Sequence, residues 1–241
     1  MTRIALLWIL LFPISSGISL YSNSSHKSET FLQSEREQDT LKENQKLYNG
    51  RVWTNKYRKI KEDQFLYTNY FLPGTVSTNG KTFRNLLIKY DIYSDEILIP
   101  VNREEILQLN KEIVDSFSII FENKVYKFKK IKVDTLNGFK DYKGYFCVLY
   151  NETSALYIKY KKEISTSIKD NSDVEFVQTH KIYFVKDKIV SPIATKKELF
   201  NVLNADNEQI KNFLRNNKLK VSNKSPESFI PVIRFYDNIS Q

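Results

Sequence analysis

From Phe65 to Ile193 apolar side chains recur at alternate positions, and the runs are cut by turn pairs. Leu86, Ile88, Tyr90 and Ile92 alternate with Leu87, Lys89, Asp91 and Tyr93, the spacing of a strand with one buried face. Asn79-Gly80 has the composition of a two-residue hairpin turn, because both residues accept positive φ. Phe65 to Leu72 reads as an earlier strand closed by Pro73-Gly74. Ser94-Asp95-Glu96 reads as a turn, with Ile97, Ile99 and Val101 returning beyond it, and Pro100 marks that return as an edge strand or a bulge. Phe117, Ile119 and Phe121 are the next inward set, and Glu122-Asn123 turns the chain into Val125 to Lys129. Tyr145 to Tyr150 and Ala155 to Tyr160 bracket a hairpin, and so do Lys181 to Val185 and Ile189 to Ile193. With no helical stretch between strands before residue 195, parallel crossovers are excluded. The pattern predicts an antiparallel meander that forms a sandwich or open barrel.

The period then changes. Thr195-Lys196-Lys197-Glu198 matches a capping box, followed by Leu199, Val202 and Leu203 on one face. Asp206 to Gln209 opens a second helix with Ile210, Phe213 and Leu214 inward, and Ser225-Pro226 opens a third that Pro231 kinks or restarts. The fold class is therefore mainly β with a C-terminal helical tail, the sheet packed by two or three short helices. Phe213, Leu214, Ile233 and Phe235 are the expected anchors.

Residues 1–19 have the layout of a secretory signal peptide. Arg3 precedes the apolar run Ile4 to Phe12, Pro13 ends it, and Gly17 and Ser19 are the small residues before Leu20. Nine apolar residues are too few to span a bilayer, which takes about 20. Residues 20–46 are polar and read as a flexible arm. The folded part then divides into a β domain over 47–194 and helices over 195–241 docked on its sheet. The expected location is outside the cytoplasm: periplasm, cell surface or medium. After signal removal no segment is long enough for a transmembrane helix.

Hydrophobic content of 41% and aromatic content of 14% exclude a wholly disordered chain. Cys147 is the only cysteine, so no internal disulfide can form. Its neighbours, Tyr145 to Tyr150, mark it as a small apolar strand residue rather than a reactive thiol. The formal charge of +9 suits nucleic acid, anionic lipid headgroups or acidic polysaccharide. The plainer reading, lysine solubilising a strand-rich surface and blunting its edges, is favoured. Nucleic acid is a poor partner for an exported protein.

Chemistry is sparse. His26 lies in the polar arm and His180 enters a strand; neither has a neighbouring His or Cys, so no metal site is expected. There is no Gly-x-Ser-x-Gly turn to present a serine and no glycine-rich phosphate loop, so no cofactor is expected either. Carboxylate pairs are the remaining route to catalysis. Asp91 with Asp95, and Glu104 with Glu105, are the pairs on offer, both in turn-like or solvent-facing contexts. The sequence thus predicts no catalytic residue. Tyrosine and lysine interleave between Tyr126 and Tyr183, and Tyr157, Lys159, Tyr126 and Lys127 are the candidate ligand surface, where rings beside cations could hold a sugar chain. The competing reading is that strands have two faces, rings inward and ammoniums outward. Two functions follow: a non-enzymatic envelope module binding a protein or glycan, or a carrier whose curved sheet closes over an apolar ligand. A carboxylate-based hydrolase ranks behind both.

Leu72 to Val76, the strand Asn85 to Tyr93, the hairpin Lys181 to Val190, Asn212 to Leu219 and Arg234 to Asn238 resemble, in this order, a group of uncharacterised exported proteins of the Bacteroidota. The resemblance spans most of residues 50–241. It implies a cell-envelope setting and brings no catalytic residue. Asp39-Thr40-Leu41 and Asp134-Thr135-Leu136 look like the Asp-Thr/Ser-apolar sites that such bacteria O-glycosylate.

Overall fold

The computed structural model describes residues 47–131, 143–166, 174–203 and 208–239. The expected signal peptide and arm and both Asp-Thr-Leu sites lie outside the described residues.

Eleven antiparallel strands form one open sheet. They are β1 (Gly50–Val52), β2 (Leu72–Thr78), β3 (Lys81–Asp91), β4 (Glu96–Pro100), β5 (Ile106–Leu109), β6 (Val114–Phe121), β7 (Lys124–Lys130), β8 (Tyr145–Asn151), β9 (Ala155–Thr166), β10 (Val174–Lys186) and β11 (Ile189–Ile193). Their order is β1-β5-β4-β3-β2-β6-β7-β8-β9-β10-β11. The sheet is thus not a closed barrel, nor a single meander: β2 to β5 and β6 to β11 are two meanders joined by the non-local pairing of β2 with β6. Three hairpins close on two residues that both have positive φ: Asn79-Gly80, Glu122-Asn123 and Asp187-Lys188. That conformation matches the right-handed twist of the strands each one joins.

Four sequence expectations are corrected. Residues 65–71 precede the first long strand instead of forming it, and Pro73-Gly74 lies within β2 rather than in a turn. Gly74 faces Ser118 of β6 so closely that a Cβ there would sit 2.1 Å from the Ser118 carbonyl oxygen. The glycine serves a close strand approach, with a register shift between it and Val76, and not a reversal. Glu96 belongs to β4, where it pairs with Asp91. β4 is an interior strand, and it accommodates Pro100 only as its last residue.

The inner face carries the main core. Val76, Ile88, Tyr90, Ile97, Phe117, Phe128, Cys147, Leu156, Ile158, Ile182 and Phe184 meet there. Tyr90, Phe117, Phe128 and Tyr145 pack ring against ring, with centroids 4.7–6.3 Å apart. The sheet curls enough for the Lys162 amide of β9 to donate to the Ile92 carbonyl just beyond β3. Residues 60–66 bridge the same two regions: Lys61 exchanges backbone hydrogen bonds with Val174 and Phe176, and Gln64 and Leu66 with Ile92 and Tyr90.

The helices α1 (Lys196–Val202), α2 (Glu208–Asn216) and α3 (Ile230–Ile239) complete the core, α3 following a 3-10 turn over Pro226–Phe229. The capping box at Thr195 forms with both of its hydrogen bonds. Leu199, Ile210, Leu214, Phe229, Val232 and Ile233 are buried in the main core. Phe213 and Phe235 are only half-buried and stack on one another, 4.2 Å apart and 6° from parallel.

Candidate functional site

The residues singled out in the sequence divide between the two faces. Tyr126 turns inward, half-buried, with its ring 4.7 Å from that of Tyr67. Lys127, Tyr157 and Lys159 point outward. In the β7–β8 register Phe128 opposes Cys147 on the inner face and Lys129 opposes Phe146 on the outer one, so the outer face carries rings as well as ammoniums.

Tyr157 is only 4% exposed, which denies a ligand its ring as a stacking platform. It packs with Phe146, Ala155 and Tyr183 in a second, smaller apolar cluster on the outer face. Its hydroxyl donates to Asn151 Oδ1 at 2.7 Å, and Lys129 Nζ reaches the same oxygen at 2.9 Å while lying over the Tyr157 ring. Lys159 is half-buried and engaged by the fold. It pairs with Asp95 at 3.1 Å and donates to the Tyr145 carbonyl oxygen at 3.1 Å. Burial lowers the pKa of its ammonium, and the Asp95 carboxylate opposes that shift. Cys147 is buried and its thiol pKa is pushed up to about 12 by burial, the state of an inert core residue.

Of the four, Lys127 opens onto a concavity. On the outer face of β2, β6, β7 and β8 runs a groove of about 900 Å³. The non-local β2–β6 pairing builds its floor, bringing Thr75 beside Ser118 with hydroxyl oxygens 2.8 Å apart. Ser116 and Asn151 add polar groups, and Ile120, Val125 and Val148 supply apolar wall. Three cations line it, Arg84, Lys127 and Lys129, and no carboxylate does. Among the described residues neither Arg84 nor Lys127 has a carboxylate partner. Lys129 lay within the tyrosine-lysine stretch, but Arg84, Thr75 and Ser116 carry no local signal. Only the pairing of strands 40 residues apart assembles them.

The carboxylate pairs are placed differently. Asp95 is held by Tyr90, Lys159 and the Tyr145 amide, a contact between the β3–β4 turn and β8–β9. Glu104 and Glu105 cap a turn, their amides donating to Asn102 Oδ1. Asp91 is buried, and its Oδ1 accepts from the amides of Tyr93 and Ser94 at 2.9 Å. Burial raises its pKa to about 6 against the lowering effect of those amides. No group of three or more His, Cys, Asp or Glu side chains among the described residues is arranged to hold a metal ion. No helix among them is long and apolar enough to cross a membrane.

Comparison with protein-family models, with curated proteins and with solved structures finds no match.

Proposed function

We propose that this chain is an exported, non-enzymatic binding module of the cell envelope, and that its partner is an acidic glycan seated in the outer groove. The observation that carries the reading is the lining: three cations and a row of hydroxyls over an open groove of about 900 Å³, with no carboxylate among them. Unpaired cations attract an anionic chain, hydroxyl and amide groups complement its sugar hydroxyls, and the apolar wall takes a ring face. A setting like that of the exported Bacteroidota proteins it resembles would supply such polymers. The carrier reading is less well supported, because Tyr90, Phe117, Phe128 and Tyr145 occupy the space where the curl of the sheet would hold an apolar ligand. Oligogalacturonate and neutral dextran, offered in parallel to the full chain, test the proposal. Saturable binding of the first alone is expected, without cleavage; glycan hydrolysis lost on replacing one carboxylate would overturn it.

A further inference from the structure

The outer face of β3, β2, β6 and β7 is laid out in rows that cross the strands. Thr82, Ser77, Ser116 and Lys129 make one row, each opposite the next in register. Thr75, Ser118 and Lys127 make the second, with Arg84 and Asn85 at the register shift beside Thr75. The third row is apolar throughout. Leu87 pairs with Pro73, and Ile120 with Val125. One step on from the Gly74–Ile119 pair, the β2–β6 register brings Pro73 beside Ile120. Neighbouring rows lie about two residues apart along a strand, roughly 6.5 Å.

An acidic glycan uses the first two rows and leaves most of the third without a role. Leu87 is 49% exposed, Ile120 41% and Val125 52%, and Pro73 is exposed as well. Single apolar side chains at a surface are ordinary, but here four stand side by side in register. The strip crosses four strands, three spacings of about 4.8 Å, or roughly 14 Å in all. That is longer than one sugar ring face, and Leu87 carries the strip past the lining of the groove. The strip is also narrow. Cations and hydroxyls border it on one side, and Glu122-Asn123 of the β6–β7 turn borders it on the other. A carboxylate at that border opposes docking on an anionic bilayer. The nearby lysines are engaged elsewhere: Lys124 pairs with Glu227 at 3.2 Å, and the Lys89 ammonium lies over the rings of Phe65 and Phe71.

We propose that the ligand of the groove is an amphiphile, an acidic glycan carried on a hydrocarbon tail. Its sugars lie on the two polar rows and its tail along Leu87, Pro73, Ile120 and Val125. A single extended chain fits a strip with polar groups on both sides, and the step from one row to the next matches the join of sugar and tail. The proposal rests on the groove being the seat of an acidic glycan.

Trigalacturonate, its octyl glycoside and octyl glucoside, each titrated as monomers into the full chain and read by calorimetry, test the proposal. The octyl glycoside is expected to bind at least about tenfold more tightly than trigalacturonate, because burying about two methylenes is worth that much. Ile120→Ser with Val125→Ser should abolish the gain, so that the two ligands bind alike. Leu87→Ser, outside the groove, should leave trigalacturonate binding unchanged and reduce the gain; if the double variant melts early, this one decides. Equal affinities for trigalacturonate with and without its tail, or a gain that survives both variants, would overturn the tail seat and leave the glycan reading standing. Octyl glucoside bound as tightly as the charged octyl glycoside, or no binding of either charged ligand, would overturn both.

Discussion

Asp237 of α3 takes both hydrogen bonds that Ser154, in the β8–β9 turn, has to give. The Ser154 hydroxyl donates to Oδ1 at 2.7 Å and its amide to Oδ2 at 3.0 Å. Tyr150 OH donates to Oδ2 as well, at 3.0 Å, and the hydrogen-bonded carboxylate, behind burial, pushes the Tyr150 pKa up to about 12. One buried carboxylate therefore fastens the last helix to a hairpin 83 residues away in sequence. Asp237→Asn replaces an acceptor with a donor facing donors. The expected loss is about 3 kcal/mol, within the range for a buried polar group left unpaired. In a double-mutant cycle with Ser154→Ala, read by denaturant unfolding, the pair should couple by at least about 0.5 kcal/mol. Strict additivity would mean that the contact is not formed.

Gly74→Ala tests the strand pairing that builds the groove. A Cβ at this position meets the Ser118 carbonyl oxygen at 2.1 Å and Ile88 Cδ1 at 2.8 Å. Backbone on one side and core on the other cannot both give way. A loss of about 3 kcal/mol or more is expected, at the top of the range for overpacked cores. An unchanged melting temperature would show that β2 and β6 are not neighbours at this register.

The helical tail should respond unevenly to truncation. Phe229 is fully buried, so Phe229→Ala is expected to cost about 3–5 kcal/mol. Phe213 is half-buried and stacked on Phe235 at the surface, and Phe213→Ala should cost about 1–2 kcal/mol. Equal denaturant midpoints for the two variants would contradict this placement of α2.

Asp91 links stability to pH. Its carboxyl, pushed up to about 6 by burial from an ordinary value of 3.8, binds its proton more tightly folded than unfolded. The corresponding stability is present below about pH 4 and is lost as pH rises through about 6, by about 3 kcal/mol in all. Asp91→Asn keeps an oxygen for the amides of Tyr93 and Ser94 and removes the titration. The variant should flatten the curve of melting temperature against pH between about 4 and 6. A curve identical to that of the parent would mean that Asp91 ionises freely.

What the sequence revealed and what it hid divide along the range of the interactions. Asn79-Gly80, Glu122-Asn123 and the Thr195 box are local devices whose chemistry is complete within four residues, and each forms as its residues imply. The inner-face alternation of Leu86, Ile88 and Tyr90 is likewise legible, because burial on one face imposes its period directly. Pro73-Gly74 misled because a turn pair and a close strand crossing need the same small residue, and only Ser118 across the sheet tells them apart. The ends of β9 and β10, where Lys161 pairs with Thr179 and Glu163 with Val177, are too exposed to show a pattern. The groove was visible only as an interleaving of tyrosine and lysine. Thr75 and Arg84 reach Lys127 only through the β2–β6 pairing, which no local window contains.

The proposed function rests on charge at one place, and salt-dependent titration of oligogalacturonate into the full chain measures it most directly. The parent should bind saturably at low salt and lose affinity steadily as salt rises, since exposed charges are screened over about 8–10 Å near physiological ionic strength. Arg84→Glu with Lys127→Glu should lower the affinity at least about tenfold, a change of about 1.4 kcal/mol, and reduce the salt dependence without moving the melting temperature. Binding that is unaltered by the double variant, or that shows no dependence on salt, would contradict the account.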